Sequence, residues 1–338
     1  MYIPNDFVYC ISHQKHFMLK CVAYIFFVQF IFAASSFRQI KDTLKVTPCT
    51  VIFTNIMLIV PTLGMFFGGI CKVESLGTEW FLKKFSPLVI FIALMEISVI
   101  TFNFFITGML MQIKRGRHIE IYKRLNDIDE TFIREFKVDM CYSKLFRKNL
   151  SIATVFLVYF ICLCVALVLK LEDGDIFLTI IVGLCYIYMN LGLGAVNYAS
   201  LNISDIIRIR FRLMQKLSDG KYLKKSFKDV HERAVKIQHL FKAYKDLYKT
   251  IDVINDVFGI PSIFCLLHDF CLVTCELFLV FWKASEIQTG MPLYLAILAI
   301  MIPSFWKMIF YLIYSHFAQK EVCSKCIFFH LICIQEQS

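Results

Sequence analysis

Long apolar runs alternate with short polar and basic stretches along the chain, and the runs are of the length that crosses lipid as a helix. Six stand out: Cys49 to Ile70, Pro87 to Ile113, Ser151 to Leu169, Ile176 to Ala199, Phe258 to Trp282 and Pro292 to Tyr314. Each is close to the roughly 20 residues that a helix needs for a hydrocarbon core about 30 Å thick. Before Phe258 the pattern is different: Val230, Ile237, Phe241, Tyr244, Tyr248, Ile251 and Phe258 recur at helical spacing with Lys, Arg, Asp and Glu elsewhere. This predicts one long helix from about His231 to Trp282 that is amphipathic in its first half and apolar in its second, with Pro261 as a potential kink. Cys21 to Ser36 is a shorter apolar run, of about sixteen residues, below the usual span. It reads as a signal peptide, a first span or an interfacial segment.

Composition agrees with lipid as the solvent. Hydrophobic residues make up 58% of the 338 residues and charged residues only 18%, which excludes an ordinary soluble domain. The fold class expected is therefore an all-α polytopic membrane protein, a bundle of six clear transmembrane helices with long cytoplasmic helical extensions. The segment 1–48 precedes the bundle, 49–314 forms it and 315–338 is a tail. The net charge of +10 would suggest nucleic acid in a soluble protein, but its location matters more here than its sum. Ten Lys and Arg lie between Lys114 and Asn149 and thirteen between Ser200 and Val257, whereas LEDGD at 171–175 and KASEIQTG at 283–290 are acidic or nearly neutral. Basic segments stay in the cytoplasm. Counting back puts Lys72 to Ser86 outside and Phe37 to Pro48, with Arg38, Lys41 and Lys45, inside. The amino terminus is then cytoplasmic, and a cleaved signal peptide would contradict the charge pattern. Two glycosylation sequons, Asn149-Leu-Ser151 and Asn202-Ile-Ser204, fall at inner ends of spans and are expected to carry no glycan.

Fourteen cysteines occur, mostly inside apolar runs, where a small polarisable side chain packs well. Cys323 and Cys326 form one CxxC with no second pair to complete a zinc site, and acylation beside the membrane is the stronger alternative. No Walker loop, GxSxG, HExxH or dinucleotide turn occurs, and His118-Ile-Glu120 lacks the downstream PCxxC of a deaminase. No enzyme and no cofactor is expected.

Ionisable groups inside spans cost about 2.5 to 3.5 kcal/mol on insertion scales and so mark candidate sites. Glu96 lies in the second span, and His268, Asp269 and Glu276 in the fifth, the last two sharing a face two helical turns apart. Tyr159, Tyr186, Thr274 and Tyr294 are expected at similar outer depths. Carboxylates among aromatic rings suit a polyhydroxylated or amine-bearing ligand. The plainer reading is that these groups pair with one another and fix helix packing.

Two stretches, YKRLNDIDETFIREFKVDMCYSKLFRKNL and HERAVKIQHLFKAYKDLYKTIDVINDVFGIPSIF, resemble cytoplasmic segments of the insect gustatory receptor family. The second matches the family's His-Leu element at His239-Leu240 and its Ile-Asn-x-x-Phe-Gly element at Ile254, Asn255, Phe258 and Gly259. The spacing of spans agrees, and the resemblance covers about residues 15 to 326. It implies a seven-helix chemosensory receptor of the plasma membrane with an inward amino terminus, a ligand-gated cation channel subunit for small-molecule tastants that assembles as a homo- or hetero-tetramer. The family's Thr-Tyr, five apolar residues, Gln-Phe motif of the seventh helix is absent. Tyr24 and Gln29-Phe30 form a near copy at the wrong end with four intervening residues, and Ile327 to Ile334 is too short to cross, so a seventh helix is expected to be missing or only begun. A transporter or non-conducting accessory subunit is the alternative, although no internal repeat supports it. A G-protein-coupled receptor would require the opposite topology.

Overall fold

The computed structural model describes residues 22–40, 43–76, 87–138, 142–169 and 176–285, with isolated positions at 19, 140, 305, 308, 309, 312 and 313. Helix α1 (Ala23–Ile31) is followed by a small antiparallel hairpin, β1 (Arg38–Ile40) and β2 (Thr43–Lys45), in which Arg38 faces Lys45. The helices that follow are α2 (Pro48–Leu76), α3 (Pro87–Ile113), α4 (Arg115–Phe136), α5 (Tyr142–Leu169), α6 (Ile176–Leu217), α7 (Gly220–Ser226) and α8 (Val230–Ser285).

Their ends have local causes. Pro48 and Pro87 each open a helix at the first position, where a missing N–H costs nothing. Before Pro48, the Thr47 and Thr50 hydroxyls each accept from the other's backbone N–H, at 3.3 and 3.0 Å. Asp229 caps α8 by accepting from the N–H groups of His231 and Glu232, at 3.3 and 3.2 Å. Lys137, in the left-handed region at φ 51°, ends α4.

Segments Pro48–Cys71, Ile90–Ile113, Ile176–Leu217 and Val230–Phe278 are long and apolar enough to cross a membrane. In the first three only 28% of the apolar window is buried, and large apolar side chains such as Ile56, Phe66, Phe91 and Phe102 are exposed. No soluble monomer displays that much. The molecule is an all-α membrane protein. The predicted third span lies within α5, while the predicted sixth, Pro292 to Tyr314, falls outside the described residues apart from isolated positions. At nine residues, about 14 Å long, α1 is too short to cross. It packs on α5, α6 and α2 instead.

The long helix expected across Phe258 is α8, 56 residues without interruption at Pro261. Helix α6 likewise runs through Ser200 to Leu217, and α4 fills much of the basic interval after Ile113, so these intervals are helical rather than loops. Beneath the spans α4, α6 and α8 enclose a dense core that includes Tyr122, Leu125, Phe132, Phe211, Met214, Leu247 and Phe258. Polar pairs fix its register. The Arg210 guanidinium, 3% exposed, donates from Nε to Asp129 Oδ1 at 2.9 Å and from Nη2 to Oδ2, joining α6 to α4. Lys236 of α8 reaches Glu135 at 3.1 Å, and Lys114 reaches Asp256 at 2.8 Å. Hydrogen bonds from Arg134 and Lys236 hold the Glu135 carboxyl below the usual range, and Lys114 does the same for Asp256.

Within the spans the helices close on small residues. Gly64 and Gly68 sit one turn apart on α2, where an added Cβ would lie 2.8 Å from Cys185 Sγ and 2.8 Å from Val182 Cγ2 of α6. This is the small-xxx-small contact by which helices approach in lipid.

Candidate functional site

Helix α8 presents a stripe at helical spacing to the bundle: Ser262, Cys265, His268, Asp269, Leu272, Cys275 and Glu276 are each 5% exposed or less. Most are small or polar, so neighbouring helices approach closely. The Cys265 thiol lies 3.6 Å from Leu193 O of α6, and Asn103 Nδ2 of α3 donates to Phe264 O at 3.2 Å. Those contacts hold the stripe against α3 and α6.

The structure joins three of the predicted residues from three different helices. Tyr186 of α6 donates its hydroxyl to Glu96 Oε1 of α3, and Glu276 of α8 is within electrostatic reach of Tyr186. Cys275 feels both carboxylates. On α6, Asn190 Nδ2 donates to Tyr186 O at 3.2 Å, which orders the turn below the phenol. Carboxylate oxygens are acceptors and attract cations when ionised, whereas the phenol donates or accepts. One acid bonded to the tyrosine hydroxyl and a second within electrostatic reach form a polar centre in an apolar bundle.

Asp269 lies on the same face of α8, seven residues away, about 10 Å along the axis. Its Oδ1 is 3.4 Å from His268 Nδ1, and Tyr159 of α5 is within electrostatic reach of it. The predicted set thus divides into a Glu96–Tyr186–Glu276 centre and an Asp269–His268–Tyr159 centre. Thr274 joins neither: it is exposed, and its hydroxyl donates to Phe270 O of its own helix at 2.8 Å. Tyr294 lies outside the described residues.

Sequence reasoning did not single out Asn103, Asn190 or Cys275. Asn103 was visible as an amide within an apolar run, but amides carry less insertion cost than acids and do not stand out. It also gave no role to His118, which is fully buried in an aromatic box below the spans. Its ring meets Phe37 at 4.8 Å, Phe258 at 5.0 Å and Tyr122 at 5.6 Å between centroids, and neither nitrogen has a hydrogen-bond partner among the described residues. Burial pushes its pKa down to about 3, so the ring is neutral.

Among known families, the model of the 7tm chemosensory receptor matches residues 43–338, most of the chain. A Drosophila melanogaster protein named "Putative gustatory receptor 57a" is 24% identical over 302 residues, which are 86% of this chain and 72% of that protein. A second from the same organism, "Putative gustatory receptor 47b", is 22% identical over 214 residues, 62% of this chain. The aligned region spans about half, 51%, of that second relative. With its long helices, its helical extensions below the spans and a family match over most of its length, the chain belongs to the insect gustatory receptor family of 7tm chemosensory receptors.

Proposed function

We propose that the chain is a ligand-binding subunit of a tastant-gated cation channel in the plasma membrane, with Glu96, Tyr186 and Glu276 at the centre of its ligand site. Asp269, His268 and Tyr159 extend the site along α8. The observation that carries this reading is the meeting of Glu96 and Tyr186 from different helices beside Glu276, since polar groups so placed in lipid are costly unless they serve a ligand or one another. The chemistry favours a small hydroxylated or amine-bearing molecule. The distribution of Lys and Arg supports six spans within residues 49–314, with 1–48 and 315–338 on the cytoplasmic side. Ligand drives opening by binding the open state more tightly than the closed one. Assembly with further receptor subunits, as a homo- or hetero-tetramer, completes the pore.

The test is ligand-evoked calcium entry in cells bearing a surface-tagged chain, screened with sugars, bitter alkaloids and bicarbonate. Glu276→Gln and Glu96→Gln should raise the half-maximal concentration of an active compound roughly tenfold or more, the cost of losing one charge-assisted hydrogen bond. Surface signal should be unchanged. Loss of surface signal in step with the response would assign both carboxylates to packing and end the ligand reading.

A further inference from the structure

A second polar feature lies where α1 meets the start of the first span, away from the carboxylates. Between α1 and the hairpin strand β1 is a half-open recess of about 450 Å³, lined by Ala23, Phe26, Phe27, Phe30, Arg38 and Gln39. Its apolar wall follows from helical spacing: residues 23, 26, 27 and 30 share one face of α1. Phe30 stacks on Phe53 of α2 at 4.7 Å, while Phe27 is 62% exposed. Ala33 takes a left-handed conformation at φ 56° and reverses the chain, which brings the hairpin back over α1 and sets Arg38 at the mouth.

The hairpin itself is unusual. Arg38 and Lys45 are directly opposite in the ladder and both are exposed, so two cations share one face. Side chains so paired lie about 5 Å apart at Cβ, and like charges there destabilise a ladder unless an anion lies between them. The hairpin ends three residues before Pro48, where the first membrane-crossing segment starts, and so stands at headgroup level. An apolar recess lined by Arg38, with Lys45 beside that arginine in the ladder, has at that level the polarity of a phospholipid.

We propose that this recess binds one anionic phospholipid, with an acyl chain against Phe26, Phe27 and Phe30 and its net negative headgroup at Arg38 and Lys45. The physiological source is the cytoplasmic leaflet, the anionic one, and this part rests on the inward orientation proposed above. The test is native mass spectrometry of the full-length chain in detergent with phosphatidylserine or phosphatidylcholine of identical acyl chains. Two basic side chains at a lipid surface should favour phosphatidylserine about thirtyfold. The double variant Arg38→Gln/Lys45→Gln should lose that preference yet retain phosphatidylcholine as before. Equal retention of the two lipids by the unaltered chain overturns the proposal without any variant, as does an undiminished preference in the double variant. Displacement of phosphatidylserine by millimolar inorganic phosphate would reduce the site to a simple anion site and also overturn it. A glycosylation tag at the amino terminus reads orientation separately: a glycosylated tag would sink the inward topology and the choice of leaflet, while the lipid preference would stand or fall on its own.

Discussion

His118 is a titratable side chain held where its charge cannot be solvated, and this gives the folded chain an acid sensitivity of predictable sign. Its folded pKa of about 3 is far below the ordinary 6.5. Between those values the unfolded chain binds a proton that the folded chain does not, so stability is full above about pH 6.5 and falls as pH drops toward 3. From pH 6.5 to pH 5 the loss is about 2 kcal/mol. Replacing His118 by Phe, which suits a box of Phe37, Tyr122 and Phe258, should flatten the fall in Tm of the detergent-solubilised chain over that range. An equal fall in the variant would show that other groups carry the sensitivity. Legibility at this scale depended on contrast with the surroundings. Glu96 and Glu276 were conspicuous because acids are rare in apolar runs, and the structure does bring both to Tyr186. His118 lies in a polar stretch, where nothing local reveals that Phe37 and Phe258 fold over it from far along the chain. Thr274 lay in the right run but on the wrong face, because a threonine hydroxyl can be satisfied by its own helix.

Helices were read best where periodicity or apolar length set them. The second predicted span, Pro87 to Ile113, coincides with α3, and the continuous helix through Phe258 is α8. The continuation of α6 beyond Ala199 was harder to see, since Arg208, Arg210 and Arg212 alternate with apolar residues in a strand-like manner. Arg210 is tolerated inside only because Asp129, 81 residues earlier, meets it. The β1–β2 hairpin, three residues a side, is below the length at which alternation carries a signal. Contact between α2 and α6 makes a sharper prediction. Gly68→Leu forces a bulky side chain against Val182 and should lower the yield of monodisperse protein several-fold. Gly69→Leu, at a position with open space around it, should leave the yield close to that of the unaltered chain. Equal yields from the two variants would mean that α2 and α6 do not pack through the Gly64–Gly68 face.

For the molecule as a whole, burial and topology bear independently on glycosylation. Both sequon asparagines are buried, and Asn149 Oδ1 accepts from the Tyr198 hydroxyl at 2.9 Å, so neither amide is available once the chain has folded. Treatment of the expressed chain with a glycan-removing amidase should leave its electrophoretic mobility unchanged. A downward shift lost on Asn149→Gln or Asn202→Gln would place that segment in the lumen before folding and reverse the proposed orientation. The apolar surfaces of α2, α3 and α5 were legible as runs, but which parts face lipid and which face the bundle depended on small residues distant in sequence. The unbroken α8 also has a mechanical meaning. Pro261 lies 31 residues from Val230, about 47 Å along the helix. As a lever arm pivoting at that proline, the helix converts a tilt of about 5° into a sweep of about 4 Å at its basic end against about 2 Å at Glu276, so a shift beside Glu276 is roughly doubled where α8 meets α4.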